Sequence, residues 1–202
     1  MSIALEQEHL VGARLYATRH DMLRAVAQKQ GGVIAEIGVA HGDFSQFMLD
    51  TLRPKKFIAF DLFNMHEYPE HWGIPSEVLF NGMTHGAFYE ERFKQHQAEI
   101  VMERGYSHLT LQKYPPRSFD LIYVDASHDY EGVKKDTVLS AELVKTDGLL
   151  IFNDYTMFDP ITKTPYGVVQ AVNELVLESD WRVIGFALQQ DMFCDVALSM
   201  SH

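Results

Sequence analysis

Two short segments carry most of the side chains able to do chemistry: "YVDASHDYEG" (123 to 132) and "FNDY" (152 to 155). The first sets Asp125, Ser127, His128 and Asp129 within five residues, directly after the apolar run Phe119 to Val124. The second sets Asn153 and Asp154 after the apolar run Leu149 to Phe152. Each run has the length and make-up of a buried strand, so each polar group stands where a strand surfaces. Neighbouring parallel strands lie about 5 Å apart, which brings the oxygens of Asp125, Asn153 and Asp154 to one edge. A few hard oxygen ligands, with room left for water or substrate, suit Mg²⁺ rather than zinc. An imidazole three residues after Asp125, with an ordinary pKa of ~6.5, can take up a proton at neutral pH. Consecutive residues cannot form a hydrolase relay, so Ser127, His128 and Asp129 are not read as a triad.

Elements that would position these groups follow from the pattern around them. Strand-length apolar runs at 33–38, 56–61, 99–105, 119–125 and 148–154 alternate with amphipathic stretches. That alternation predicts a doubly wound α/β fold with a mostly parallel sheet. After residue 154 come a helix over "GVVQAVNELVLES" and two apolar runs, "WRVIGFAL" and "MFCDVALSM", separated by "QQD". So short a connection requires antiparallel pairing. The expectation is a Rossmann-like sheet of seven strands, closed by a C-terminal antiparallel hairpin, within one domain over 1–202. "QEHLVGARLYATRHDMLRAVAQKQ" reads as one amphipathic helix. Residues 62–86, rich in His, Trp and Tyr, read as a substrate-facing insert or lid.

Between the first two core strands lies "EIGVAHGDFSQFML", a turn with Gly38 and Gly42 and then a helix opened by Asp43 or Ser45. Glycines there let the backbone approach a ligand, and the free N–H groups of a helix start attract anions. The spacing is G-x-x-x-G with Ala40 in the middle, which departs from the dinucleotide fingerprint G-x-G-x-x-G. Asp61 ends the next strand, where a carboxylate can accept both hydroxyls of a ribose. The pair implies a nucleoside-containing cofactor.

With 17 Lys+Arg against 28 Asp+Glu and a formal charge of -11, the long-range field repels nucleic acid and anionic membrane. A small-molecule partner is favoured. The start of the sequence shows no secretory pattern and no run spans a bilayer, so a cytoplasmic location without membrane contact is expected. The single cysteine, Cys194, reads as a buried structural thiol.

On "EIGVAHGDFS" and "FIAFD" the chain resembles the class I S-adenosylmethionine-dependent methyltransferases. "YVDASHDYEGVKKD" and "GLLIFNDY" are similar to the metal-dependent small-molecule O-methyltransferases, of the catechol and antibiotic-sugar types. The resemblance implies that Glu36, Gly38 and Gly42 shape the methionine end of the S-adenosylmethionine site. It further implies Ser45 for the cofactor carboxylate, Asp61 for the ribose, and Gly105, Tyr106 and Ser107 beside the adenine. Asp125 would serve both cofactor and metal, and Asp125, Asn153 and Asp154 would hold Mg²⁺. The place of His128 corresponds to that of a lysine base in catechol O-methyltransferase, which makes His128 the expected general base. Asn153 stands where the sugar enzymes carry a second carboxylate. The expected reaction is methyl transfer to a hydroxyl of a sugar or polyol, with a catechol-like phenol second and self-association left open. Rival readings are a nicotinamide-dependent oxidoreductase and a non-catalytic cofactor-binding protein.

Overall fold

A computed structural model describes residues 4–27, 30–96, 98–159 and 161–200. In chain order the strands are β1 (Arg14–Tyr16), β2 (Val33–Ile37), β3 (Lys56–Asp61), β4 (Glu70–His71), β5 (Ile74–Pro75), β6 (Glu99–Arg104), β7 (Phe119–Val124), β8 (Val144–Phe152), β9 (Trp181–Ala187) and β10 (Asp195–Met200). The α-helices are α1 (Arg19–Val26), α2 (Asp43–Leu52), α3 (Ser76–Leu79), α4 (His85–Phe93), α5 (Ser107–Thr110), α6 (Tyr130–Leu143) and α7 (Val168–Leu177). The main sheet runs β1-β9-β10-β8-β7-β2-β3-β6, and β4 and β5 form a separate hairpin.

Strands β8, β7, β2, β3 and β6 are mutually parallel, and β10 turns antiparallel to β8 and to β9. Alternation along each core strand sends side chains to two apolar layers. On β3, Ile58 and Phe60 pack with Val124, Val133, Leu143, Val172 and Trp181, the face covered by α6 and α7. Phe57 and Ala59 pack instead with Met22, Phe44, Met48 and Tyr89, the face covered by α1, α2 and α4. Helices on both faces therefore make the sheet doubly wound, as the sequence pattern predicts.

The strand count differs from expectation: the main sheet has eight strands rather than seven. The additional one, β1, lies inside the stretch read as a single N-terminal helix. Gly12 adopts a left-handed φ of 83°, and the chain after it extends and pairs parallel with β9, Leu15 opposite Phe186. Thr18 then starts α1 by accepting from the Asp21 N–H, a helix cap that amphipathic spacing alone does not reveal. Two boundaries also move. β8 begins at Val144, and the extra residues form an irregularity opposite Phe119 to Leu121. β10 begins at Asp195, because a 3₁₀ turn over Gln190–Met192 takes up Met192, the first residue expected in the strand. Cys194 is buried just before it. The insert 62–86 is less irregular than expected, since it holds a 3₁₀ turn, the β4–β5 hairpin and α3.

Candidate active site

From β2 the core order proceeds to β3 and β6 on one side and to β7 and β8 on the other. The strand order reverses between the parallel neighbours β2 and β7, and a crevice opens beyond their carboxyl ends. Gly38 follows β2 there and Asp125 follows β7, with the Asp125 N–H donating to the Ile37 carbonyl at 2.7 Å. A Cβ on Gly38 would stand 2.0 Å from the Asp125 carbonyl oxygen, and its φ is 84°. Only glycine fits that crossing. Gly42, at φ 87°, is the N-cap of α2, so neither Asp43 nor Ser45 caps that helix.

The crevice is a cavity of about 700 Å³. Gly38, Asp61, Gly105, Tyr106, Ser107, Asp125 and His128 all line it, which unites much of the residue set singled out from sequence. Glu36, Gly42 and Ser45 do not line it. Ser45 is fully buried, and its hydroxyl donates to the Glu36 carboxylate. Burial raises the Glu36 pKa well above its ordinary value, with Ser45 opposing. Asp61 has structural duties of its own, accepting from the Val39 N–H (2.9 Å) and the Phe63 N–H (2.7 Å). Those bonds tie the glycine turn to the end of β3. Ser107 donates to Asp136 at 2.6 Å, a buried acid that also lines the cavity. The insert reaches the cavity through Leu62, Asn64, Met65 and Trp72; Trp72 sits at the β4–β5 turn and is 73% exposed.

The polar cluster after β7 divides into two jobs. Asp129 caps α6 by accepting from the Gly132 N–H (3.0 Å), and Ser127 donates to Asp129. Asp125 and His128 instead face Asp154. His128 Nε2 lies 3.1 Å from Asp154 Oδ2 and 3.7 Å from Asp125 Oδ1. Ligand atoms of all three fall within 4.8 Å of one another. Burial lowers the His128 pKa, but the Asp125 and Asp154 carboxylates outweigh it and leave it raised. Burial, then the Asp125 charge, pushes the Asp154 carboxyl up to about 6. Two opposed carboxylates favour a positive charge beside them, which a protonated His128 or a cation supplies. Asn153, on the same turn, is buried and donates through Nδ2 to Asp195 Oδ1 at 3.0 Å.

Several contributors escaped the sequence reading. Arg19 opens α1, places its guanidinium over the Phe44 ring, donates to the Tyr123 hydroxyl (3.1 Å) and faces Asp125 Oδ2 at 3.8 Å. Tyr123 in turn donates to Asp195 at 2.7 Å, and burial pushes that acid up to about 7. Tyr166 stacks on the His128 ring, centroids 4.5 Å apart. Nothing in the spacing of Arg19 or Tyr166 announces these contacts, because both come from distant segments. His85 is another: wholly buried, it bonds the Ala40 carbonyl through Nε2 and lies 3.9 Å from Asp61.

A sequence profile described as a methyltransferase domain matches residues 35–155, more than half of the chain. The chain belongs to this methyltransferase family. No curated protein matches it in sequence. Among solved structures, an O-methyltransferase from Bacillus cereus in complex with SAH is similar at TM-score 0.63 and 14% identity, over 91% of this chain and 80% of that one. A ribosomal protein L11 methylase from Lactobacillus delbrueckii subsp. bulgaricus gives 0.60 and 14%, over 91% and 77%. A putative rRNA-methylase from Clostridium thermocellum gives 0.59 and 12%, over 91% and 93%. At such identities the likeness is one of fold, and the neighbours' different acceptors leave the acceptor of this methyltransferase undecided. S-adenosylmethionine is the methyl donor that family and fold together support. Among the described residues no helix is long and apolar enough to cross a membrane.

Proposed function

We propose that this methyltransferase moves the methyl group of S-adenosylmethionine to a hydroxyl of a small molecule, with a divalent cation held at Asp125 and Asp154. The observation that carries the reading is the convergence of Asp125, His128 and Asp154, of which Asp125 and His128 line the cavity together with Gly38, Asp61 and Tyr106. Two carboxylates whose charges oppose each other are a fitting donor set for a cation. When bound, such an ion lowers the pKa of an acceptor hydroxyl. The chain's own groups do the rest. Asp61 is placed to receive the ribose, Tyr106 and Ser107 the adenine, and the Gly38 turn lets the methionine end approach the backbone. Aligning acceptor oxygen, methyl carbon and sulfur is the main task, and positioning of that kind can supply ~7 to 11 kcal/mol of a barrier.

A polyol or sugar is the acceptor favoured by the cavity wall, where Asn64, Ser127, Glu131 and Lys135 offer hydrogen-bonding groups. The net charge of -11 argues against nucleic acid. A catechol-like phenol is the second reading, supported by Met65 and Trp72 on the same wall. Calorimetric titration with S-adenosylhomocysteine, followed by transfer of labelled methyl to sugar and catechol panels with and without EDTA, tests the whole. Binding of S-adenosylhomocysteine, with transfer abolished by EDTA and restored by added metal, is expected. Full transfer in EDTA would remove the cation from the mechanism.

A further inference from the structure

We infer that His128 is a metal ligand through Nε2, making a mixed nitrogen and oxygen centre of Asp125, His128 and Asp154 that prefers Mn²⁺ or a similar first-row ion to Mg²⁺. This rests on the reading that the two carboxylates hold a cation, and it replaces the base role expected of His128 from sequence.

His128 carries a ring nitrogen that faces two carboxylates without a hydrogen bond to either. His128 Nε2 is sealed from solvent and makes no aligned hydrogen bond, although Asp154 Oδ2 is only 3.1 Å away. A ring N–H at that distance would normally be aimed at the oxygen. An ion at ~2.1 Å from each ligand places neighbouring ligands at right angles about 3 Å apart, without requiring them to point at one another. Separations of 3.1 Å and 3.7 Å from one nitrogen to the two carboxylates suit that arrangement. The same geometry disfavours a base. A base must turn its lone pair toward the acceptor, whereas this nitrogen faces the carboxylate pair, and Tyr166 stacks against the ring. An acceptor oxygen reaching Nε2 would have to occupy the space between His128, Asp125 and Asp154. That space is where the cation belongs.

Donor chemistry then selects the ion. Carboxylates alone suit Mg²⁺, whereas an imidazole nitrogen in the set raises affinity for first-row ions over Mg²⁺, least for Mn²⁺ and more for Fe²⁺ to Ni²⁺. Asn153, the third oxygen donor expected from sequence, is tied to the buried Asp195 through its Nδ2 and not through its oxygen.

Mn²⁺ alone, added to the full chain, is the probe. Electron spin echo spectroscopy of the Mn²⁺-loaded protein should show modulation from one coordinated imidazole nitrogen. His128→Ala should abolish that signal and weaken Mn²⁺ binding about tenfold or more, and Mg²⁺ should displace Mn²⁺ only at large excess. Mn²⁺ bound without nitrogen modulation in the wild type overturns the inference, and that spectrum needs no variant to fold. Unchanged Mn²⁺ affinity in His128→Ala, with loss in Asp154→Asn, overturns it as well. Equal affinity for Mg²⁺ and Mn²⁺ overturns the stated preference, and no Mn²⁺ binding at all overturns the centre. Titration of the same samples with S-adenosylhomocysteine reads the methyltransferase function separately: failure there would sink that function whatever Mn²⁺ does.

Discussion

On the side of the cavity lined by Gly38 and Asp61, the groups offered to a ligand are fixed by backbone. Gly38 crosses the Asp125 carbonyl, and Asp61 is held by the N–H groups of Val39 and Phe63. On the side lined by Asp125 and His128, side chains are held by other side chains: Arg19 against Asp125, Tyr166 against His128, Asp195 against Asn153. A backbone-built site binds whatever shares a common shape, such as one cofactor. A side-chain-built site can be retuned residue by residue, which is what a change of acceptor demands.

If the two sides are built so differently, they should fail differently. Gly38→Val should do the greatest damage, because its side chain would meet the backbone of Asp125 and Ala126 at a left-handed φ. Loss of folded protein, or a drop of about 3 kcal/mol or more in urea unfolding, is expected, together with loss of S-adenosylhomocysteine binding. A stable, binding-competent variant would break the comparison at its root. Asp154→Asn should spare both the fold and S-adenosylhomocysteine affinity but cut turnover by about 100-fold or more, the worth of a lost cation contact. Parallel loss of cofactor affinity would show that the sides are not separable. Asp61→Ala should weaken S-adenosylhomocysteine binding by ~1 to 3 kcal/mol, roughly 5- to 150-fold. Because Val39 and Phe63 also lose an acceptor, melting temperature should fall as well; intact stability would deny Asp61 its backbone role.

The smallest effect is one of pH. Glu36 has its folded pKa raised above the ordinary 4.5 by burial. Its contribution to stability is therefore full below about pH 4.5 and is lost as pH rises through the folded pKa. Glu36→Gln should flatten that decline, measured as melting temperature against pH. A variant whose profile retains the wild-type slope would place the titration elsewhere.

The sequence made the parallel core legible because strand burial leaves a local mark. Lys56–Asp61 and Asp43–Leu52 fall where apolar runs and helical spacing put them. β1 left a weaker mark: three residues, with Leu15 66% exposed, pack too little to alternate clearly. Asp61 and Asp125 were visible because they end strands. Ser45 illustrates the limit, since spacing identifies a hydroxyl near a helix start but not that Glu36 claims it. Arg19, Asp195 and Tyr166 reach the site only through tertiary packing. His128 was found by type and place, while its orientation, which separates ligand from base, had to come from three dimensions.

The pairing of β1 with β9 also bears on the order in which the molecule is made. Arg14 lies opposite Gly185, and the Arg19 N–H is held by Gln189, so both contacts wait for ribosomal synthesis of some 170 further residues. At ~5 to 20 residues per second that is on the order of ten to thirty seconds. Strands β2, β3, β6, β7 and β8 are complete well before then, and with them the turn at Gly38. Arg19 takes up its contacts with Asp125 and Tyr123 last, so a nascent chain has the Gly38 and Asp61 side of the cavity built before the side that Asp125 and His128 line is complete.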